Sequence, residues 1–113
     1  MKQNNTQQIT INIARDFSLY PGARYRTDGD YSGQQFYEDL LKSKLSEIWK
    51  DPNKSLLIDF DGTFGYASSF ISEVFISVVR DFHDKDALKN KLKLKSDDEP
   101  LLTQAITKII DEA

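Results

Sequence analysis

Leu56-Leu57-Ile58-Asp59-Phe60-Asp61-Gly62-Thr63, running on to Ala67-Ser68-Ser69-Phe70-Ile71, decides how this chain is read. The nearly unbroken apolar run from Leu56 to Phe60 predicts a short central strand covered on both faces. Asp61-Gly62 is turn chemistry, because aspartate accepts bonds from following amides and glycine tolerates the backbone bend. Ser68 then reads as an N-cap, its hydroxyl accepting from amides one turn on. The unit is strand, tight turn, helix.

Upstream, Ile9, Ile11 and Ile13 alternate with Thr10 and Asn12, the period of a strand with one buried face. Arg15 to Tyr31 carries Pro21-Gly22 and Asp28-Gly29-Asp30 and reads as loop or irregular hairpin. Ser32 starts a helix, with Gln35 at capping-box spacing. Phe36, Leu40, Leu41, Leu45, Ile48 and Trp49 give that helix its apolar stripe, and Asp51-Pro52-Asn53 stops it. Downstream, a second helix spans about Ser68 to Phe82, burying Ile71, Val74, Phe75, Val78, Val79 and Phe82. Lys89, Lys91, Lys93 and Lys95 alternate with Asn90, Leu92 and Leu94, as in an edge strand guarded by lysines. Ser96 or Asp97 would cap a last helix with Pro100 in its first turn. Its core face would be Leu102, Ala105, Ile106, Ile109 and Ile110. The expected fold is one small α/β domain over 8–113, a short mixed sheet packed against about three helices, behind a flexible tail at 1–7.

Composition excludes several classes. At 113 residues there is room for one core. Apolar residues form 39% and charged residues 29%, a globular balance. No apolar run approaches the ~20 residues that span a bilayer, and the N-terminus lacks the apolar core of a signal peptide. Cysteine is absent, which removes disulfides and thiolate metal sites. A net charge of −3 attracts neither nucleic acid nor anionic membrane. A cytoplasmic, soluble protein is expected, with no nucleic-acid or membrane partner. His83, the single histidine, lies a helix length of ~20 Å from Ser68, too far for serine-hydrolase chemistry.

Two families are resembled. Asp59-Phe60-Asp61-Gly62-Thr63 is similar to the nucleophile motif of haloacid-dehalogenase phosphatases. That resemblance implies Asp59 as nucleophile, Asp61 as acid/base and Mg²⁺ between them, with Lys95 and Asp97-Asp98 imitating the late elements. The motif normally occupies a first strand, and here a strand and a helix precede it. The element order from about residue 8 to the end resembles STAS domains, the anti-sigma-factor-antagonist family. Their switch region is an apolar strand, a small loop and Asp-Ser-Ser-Gly opening a helix, matched by Leu56–Gly62 and Ser68-Ser69, with Ala67 and Phe70 departing from it. The chain is most similar to a bacterial STAS-like branch of unassigned function. Pro21-Gly22-Ala23-Arg24, Ser32-Gly33-Gln34-Gln35-Phe36 and Ser68-Ser69-Phe70 match motifs that recur there.

The STAS resemblance implies a non-catalytic regulatory, protein-binding domain, with a histidine-kinase-type ATPase as the implied partner and no cofactor or metal. Ser68 and Ser69 are the phosphorylation candidates, although with Ala67 in place of the acidic residue plain capping is the preferred role. Arg24, Asp61, Phe64, Tyr66 and Ser68 are the partner-binding candidates. Arg24 suits a carboxylate or phosphate, bidentately. Phe64 and Tyr66, with Tyr20, Tyr25 and Tyr31, fall in loops, where exposed aromatics favour interfaces. The alternative is a minimal Mg²⁺-dependent phosphatase using Asp59 and Asp61.

Overall fold

Alternating isoleucines and leucines build one sheet. The structure, a computed structural model, describes residues 7–113. Strands β1 (Gln7–Asn12), β2 (Lys54–Asp59) and β3 (Leu92–Lys95) lie in the order β1-β2-β3. Both pairings are parallel, with Ile11 opposite Ile58 and Ile58 opposite Leu94. The α/β class holds, and the sheet is parallel throughout where a mixed one is expected from sequence. β2 and β3 each follow a helical crossover, the connection that parallel neighbours require. Of the expected tail, residues 1–6 lie outside the described residues and Gln7 already pairs in β1.

The sheet is covered on one face, not two. Ile11, Leu56, Ile58 and Leu92 are buried together, whereas Thr10, Leu57 and Lys93, aligned across the other face, are exposed, half-buried and exposed. The apolar run of β2 overstates its burial because Leu57 has no layer to enter.

Ile13 leaves β1 for a single turn, α1 (Ile13–Asp16), capped by the Asn12 side chain on the Arg15 amide at 2.8 Å. A loop with a 3-10 turn (Arg26–Asp28) leads to the first long helix. That helix runs without interruption through α2 (Gly33–Phe36), a π-helical turn (Tyr37–Leu41) and α3 (Lys42–Ile48). Ser32 caps it as expected, accepting from the Gln35 amide at 3.0 Å, while Gln35 reaches back to the Tyr31 amide at 3.0 Å. The extra residue of the π turn shifts the helical phase, so Tyr37 joins Phe36 and Leu41 in the core. Gly33 lies where this helix crosses α4 (Ser68–Asp81): a Cβ there would meet the Phe70 carbonyl oxygen at 2.6 Å. The Ser-Gly-x-x-Phe and Ser-Ser-Phe motifs are thus the two sides of one crossing, with Phe36 and Phe70 rings 6.0 Å apart.

The lysine run is mostly helix. Asp84 caps α5 (Lys85–Lys91) through the Ala87 amide at 3.0 Å, and only Leu92–Lys95 is strand. Lys85 donates to the Asp111 and Ala113 carbonyls, Lys89 pairs with Asp111, and Lys91 donates to the Asp51 and Lys54 carbonyls. The lysines hold helix and loop ends together, a role that their alternation does not announce. Helix α6 (Leu102–Glu112) packs on α4 and buries Ile106 and Ile110, with Ala105 exposed. Neither Ser96 nor Asp97 caps it. The Ser96 hydroxyl donates instead to the Glu99 carbonyl at 2.8 Å.

Candidate functional site at the carboxyl ends of the strands

Parallel pairing puts Asn12, Asp59 and Lys95 side by side at the carboxyl ends of β1, β2 and β3. In open α/β sheets that end is where loops assemble binding surfaces. Here the loop after β2 (61–67) is pinned between the loops after β1 and β3. Asp59 Oδ1 accepts from the Asp61 amide at 3.0 Å, which forms the tight turn. Gly62 continues the turn with φ +96°, a conformation glycine adopts without strain. Its amide donates to Asp98 Oδ2 at 2.9 Å, while the Asp98 amide donates to Asp61 Oδ1 at 2.8 Å. This reciprocal pair ties the turn to the β3–α6 loop.

Lys95 sits at the centre. Its Nζ lies 2.6 Å from Asp61 Oδ2, 3.0 Å from Asp97 Oδ2 and 4.0 Å from Asp59 Oδ1. The Asp98 amide and then the Lys95 ammonium hold the Asp61 carboxyl below the ordinary aspartate range. Asp61, followed by Asp97, raises the Lys95 ammonium above the ordinary lysine value. Every sequence element of the phosphatase resemblance therefore meets here, but around an ammonium. Both Asp61 oxygens are engaged, and a cation shared by Asp59 and Asp61 would compete with Lys95 for them. Among the described residues no group of three histidine or acidic side chains is placed to hold a metal ion.

The aromatic candidates separate. Tyr66 turns inward. Its hydroxyl donates to the Phe60 carbonyl at 2.7 Å, its ring packs edge-on to Phe60 at 5.5 Å, and burial pushes its hydroxyl up to about 12. It anchors the turn, where an exposed docking residue is expected from sequence. Phe64 points out, 75% exposed, and stacks on Tyr20 at 4.7 Å with planes 3° apart. The Phe64 amide donates to the Leu19 carbonyl at 2.9 Å, which fixes the two loops against each other. Leu19 and Tyr20 are the residues that a reading of local sequence does not assign to this face. No spacing signal links position 20 to position 64, and only the parallel pairing of β1 with β2 brings them together.

Ser68 is exposed and Ser69 half-buried in the first turn of α4, but Ala67 is the N-cap residue and neither hydroxyl caps the helix. The capping role expected of Ser68 is therefore not the one it has. Extended backbone at Ala67 already starts the helix there, which places Ser68 one position too far along to reach back. Arg24 stands apart from the turn. Its carbonyl accepts from the Gln34 amide at 3.0 Å and its guanidinium lies 6.0 Å from the centre of the Tyr25 ring. Among the described residues it makes no ion pair, unlike Arg15, Arg26 and Arg80.

An open parallel sheet with helices on one face and a pinned, partly apolar turn at its carboxyl end defines a small open α/β domain. A family model described as a STAS-like domain of unknown function (DUF4325) matches residues 32–102, more than half of the chain, and the chain belongs to that family. Its bounds run from the Ser32 cap through the turn and the serines to the start of α6. Membership fits a regulatory, protein-interaction role in general. No curated protein and no solved structure matches.

Proposed function

We propose that this chain is a non-catalytic regulatory domain that binds another protein through the turn at 61–67 and the first turn of α4. The partner is an ATPase of the histidine-kinase type, and phosphorylation of Ser68 is the switch. One observation carries the reading: Phe64, the most exposed large apolar side chain among the described residues, is held on a turn tied to the ends of the three strands. A pre-ordered apolar group loses little freedom on binding, so its burial appears as affinity. Ser68 lies exposed at the start of the same helix. A phosphate there would add nearly two negative charges beside free amides of α4, and would reset which surface fits. The engagement of Asp59 and Asp61 by amides and Lys95 favours binding over phosphoryl transfer.

Calorimetric titration against such an ATPase tests the proposal. Phe64→Ala weakens binding by about tenfold or more. Ser68→Asp changes it severalfold, and Ser68→Ala leaves it intact. Binding indifferent to both Phe64→Ala and Ser68→Asp would remove the turn as the interface. Mg²⁺-dependent phosphate release that Asp59→Asn abolishes would overturn the non-catalytic reading.

A further inference from the structure

The apolar patch formed by Leu19, Tyr20 and Phe64 does not stand in neutral surroundings. Gly62, two residues before Phe64, is bonded to Asp98, and the space above Gly65 is closed by Glu99 Oε1, 3.7 Å from where a Cβ would stand. Asp97 is 79% exposed and Glu99 is exposed. The rim thus gathers Asp59, Asp61, Asp97, Asp98 and Glu99 around one cation, Lys95. That is a net charge of −4 on a chain whose total is −3, so the rest of the molecule is net positive. Arg15, the other cation within reach of Asp59, is held by Asp16 at 2.8 Å.

We infer that the partner segment docking here is a cationic amphipathic one, with arginine or lysine side chains beside an apolar residue. This rests on the protein-binding reading above and adds the chemistry of the partner. The apolar residue covers the Tyr20–Phe64 stack. A flanking guanidinium meets the ring faces and the Asp97 and Glu99 carboxylates, an arrangement in which cation–π attraction and charge-assisted hydrogen bonds act together. An acidic or neutral segment gains the apolar contact only, and an acidic one is repelled by the rim. The same field steers the encounter, so association is faster at low salt.

The probe is a short synthetic peptide of alternating arginine and leucine around a central tryptophan, compared with the same peptide carrying glutamine or glutamate for arginine. Titrated into the isotopically labelled chain, the arginine peptide shifts amides of residues 19–20, 61–66, 97–99 and 101. The glutamine peptide binds about tenfold more weakly and the glutamate peptide not at all. Raising salt from about 0.05 to about 0.5 M weakens the arginine peptide several-fold. Phe64→Ala and the double substitution Asp97→Asn, Glu99→Gln each weaken it about fivefold or more, and both alter exposed side chains only. Equal affinity for the three peptides, or shifts centred elsewhere, overturns the inference. If the protein partner's binding is lost on Phe64→Ala but is indifferent to salt and to the Asp97/Glu99 double substitution, the interaction domain stands and the cationic segment falls.

Discussion

Tyr37 is buried to its ring and donates its hydroxyl to Asp81 Oδ2 at 2.6 Å. Burial first, and then that bond, raise the tyrosine's pKa. Arg80, and next Tyr37, hold the Asp81 carboxyl below the ordinary aspartate range. A bond to a charged acceptor is stronger than one between neutral groups, so Tyr37→Phe should cost about 1–2 kcal/mol at neutral pH. Because the Asp81 pKa is depressed in the fold, its contribution is complete above the ordinary aspartate value of about 4 and is lost as pH falls through the depressed value. Urea midpoints of the two proteins should therefore lie furthest apart at neutral pH and converge in strong acid. A separation that stays constant with pH would show that the phenol acts by packing alone.

Helix starts give the element-scale contrast. Ser32 is fully buried and caps α2, so Ser32→Ala should destabilise by about 1–2 kcal/mol. Ser68 is exposed and caps nothing, so Ser68→Ala should stay within about 0.5 kcal/mol. Thermal or urea unfolding of the two variants checks the pair, and equal losses would contradict the observed cap at Ala67. The elements themselves were legible where the apolar period fits one element only: β1 and β2, the Ser32 helix, and the buried face of α4 at Ile71, Val74, Phe75 and Val78. They were not legible where one pattern fits two periods. Lys89 to Lys95 alternates like a strand, yet Asp84 capping Ala87 commits its first half to helix. The π turn hid Tyr37 by shifting the phase of the stripe, and Leu57 read as core because its neighbours are. Of the site, Asp61, Phe64 and Ser68 come from the motif, whereas Tyr20 needs the strand pairing before it can be placed.

At the scale of the whole molecule, the carboxyl end of the sheet acts as a clasp. Three strands and their loops meet there, and long-range contacts close it: Asn12 Nδ2 to the Asp61 carbonyl at 3.4 Å, the Phe60 amide to the Lys95 carbonyl at 2.8 Å, and Lys95 Nζ to Asp61. The clasp positions Phe64 and the start of α4 together, so loosening it should move the surface proposed to bind a partner without altering either side chain. Asp61 reports on it. Its depressed pKa means the clasp is complete above the ordinary aspartate value and opens as pH falls through the depressed one. In a titration followed by magnetic resonance, the Asp98 amide, which donates to Asp61, should shift with a midpoint below about 4. Lys95→Gln should raise that midpoint only part of the way to the ordinary value, because the Asp98 and Asp97 amides still lower it. In the same variant, amides of the 61–66 turn should exchange with solvent faster at neutral pH, since local opening follows the loss of its tie. A midpoint that moves all the way would make Lys95 the sole support of Asp61. One that does not move would leave the Asp61 carboxyl held by backbone amides alone, with the lysine a passenger between three acids.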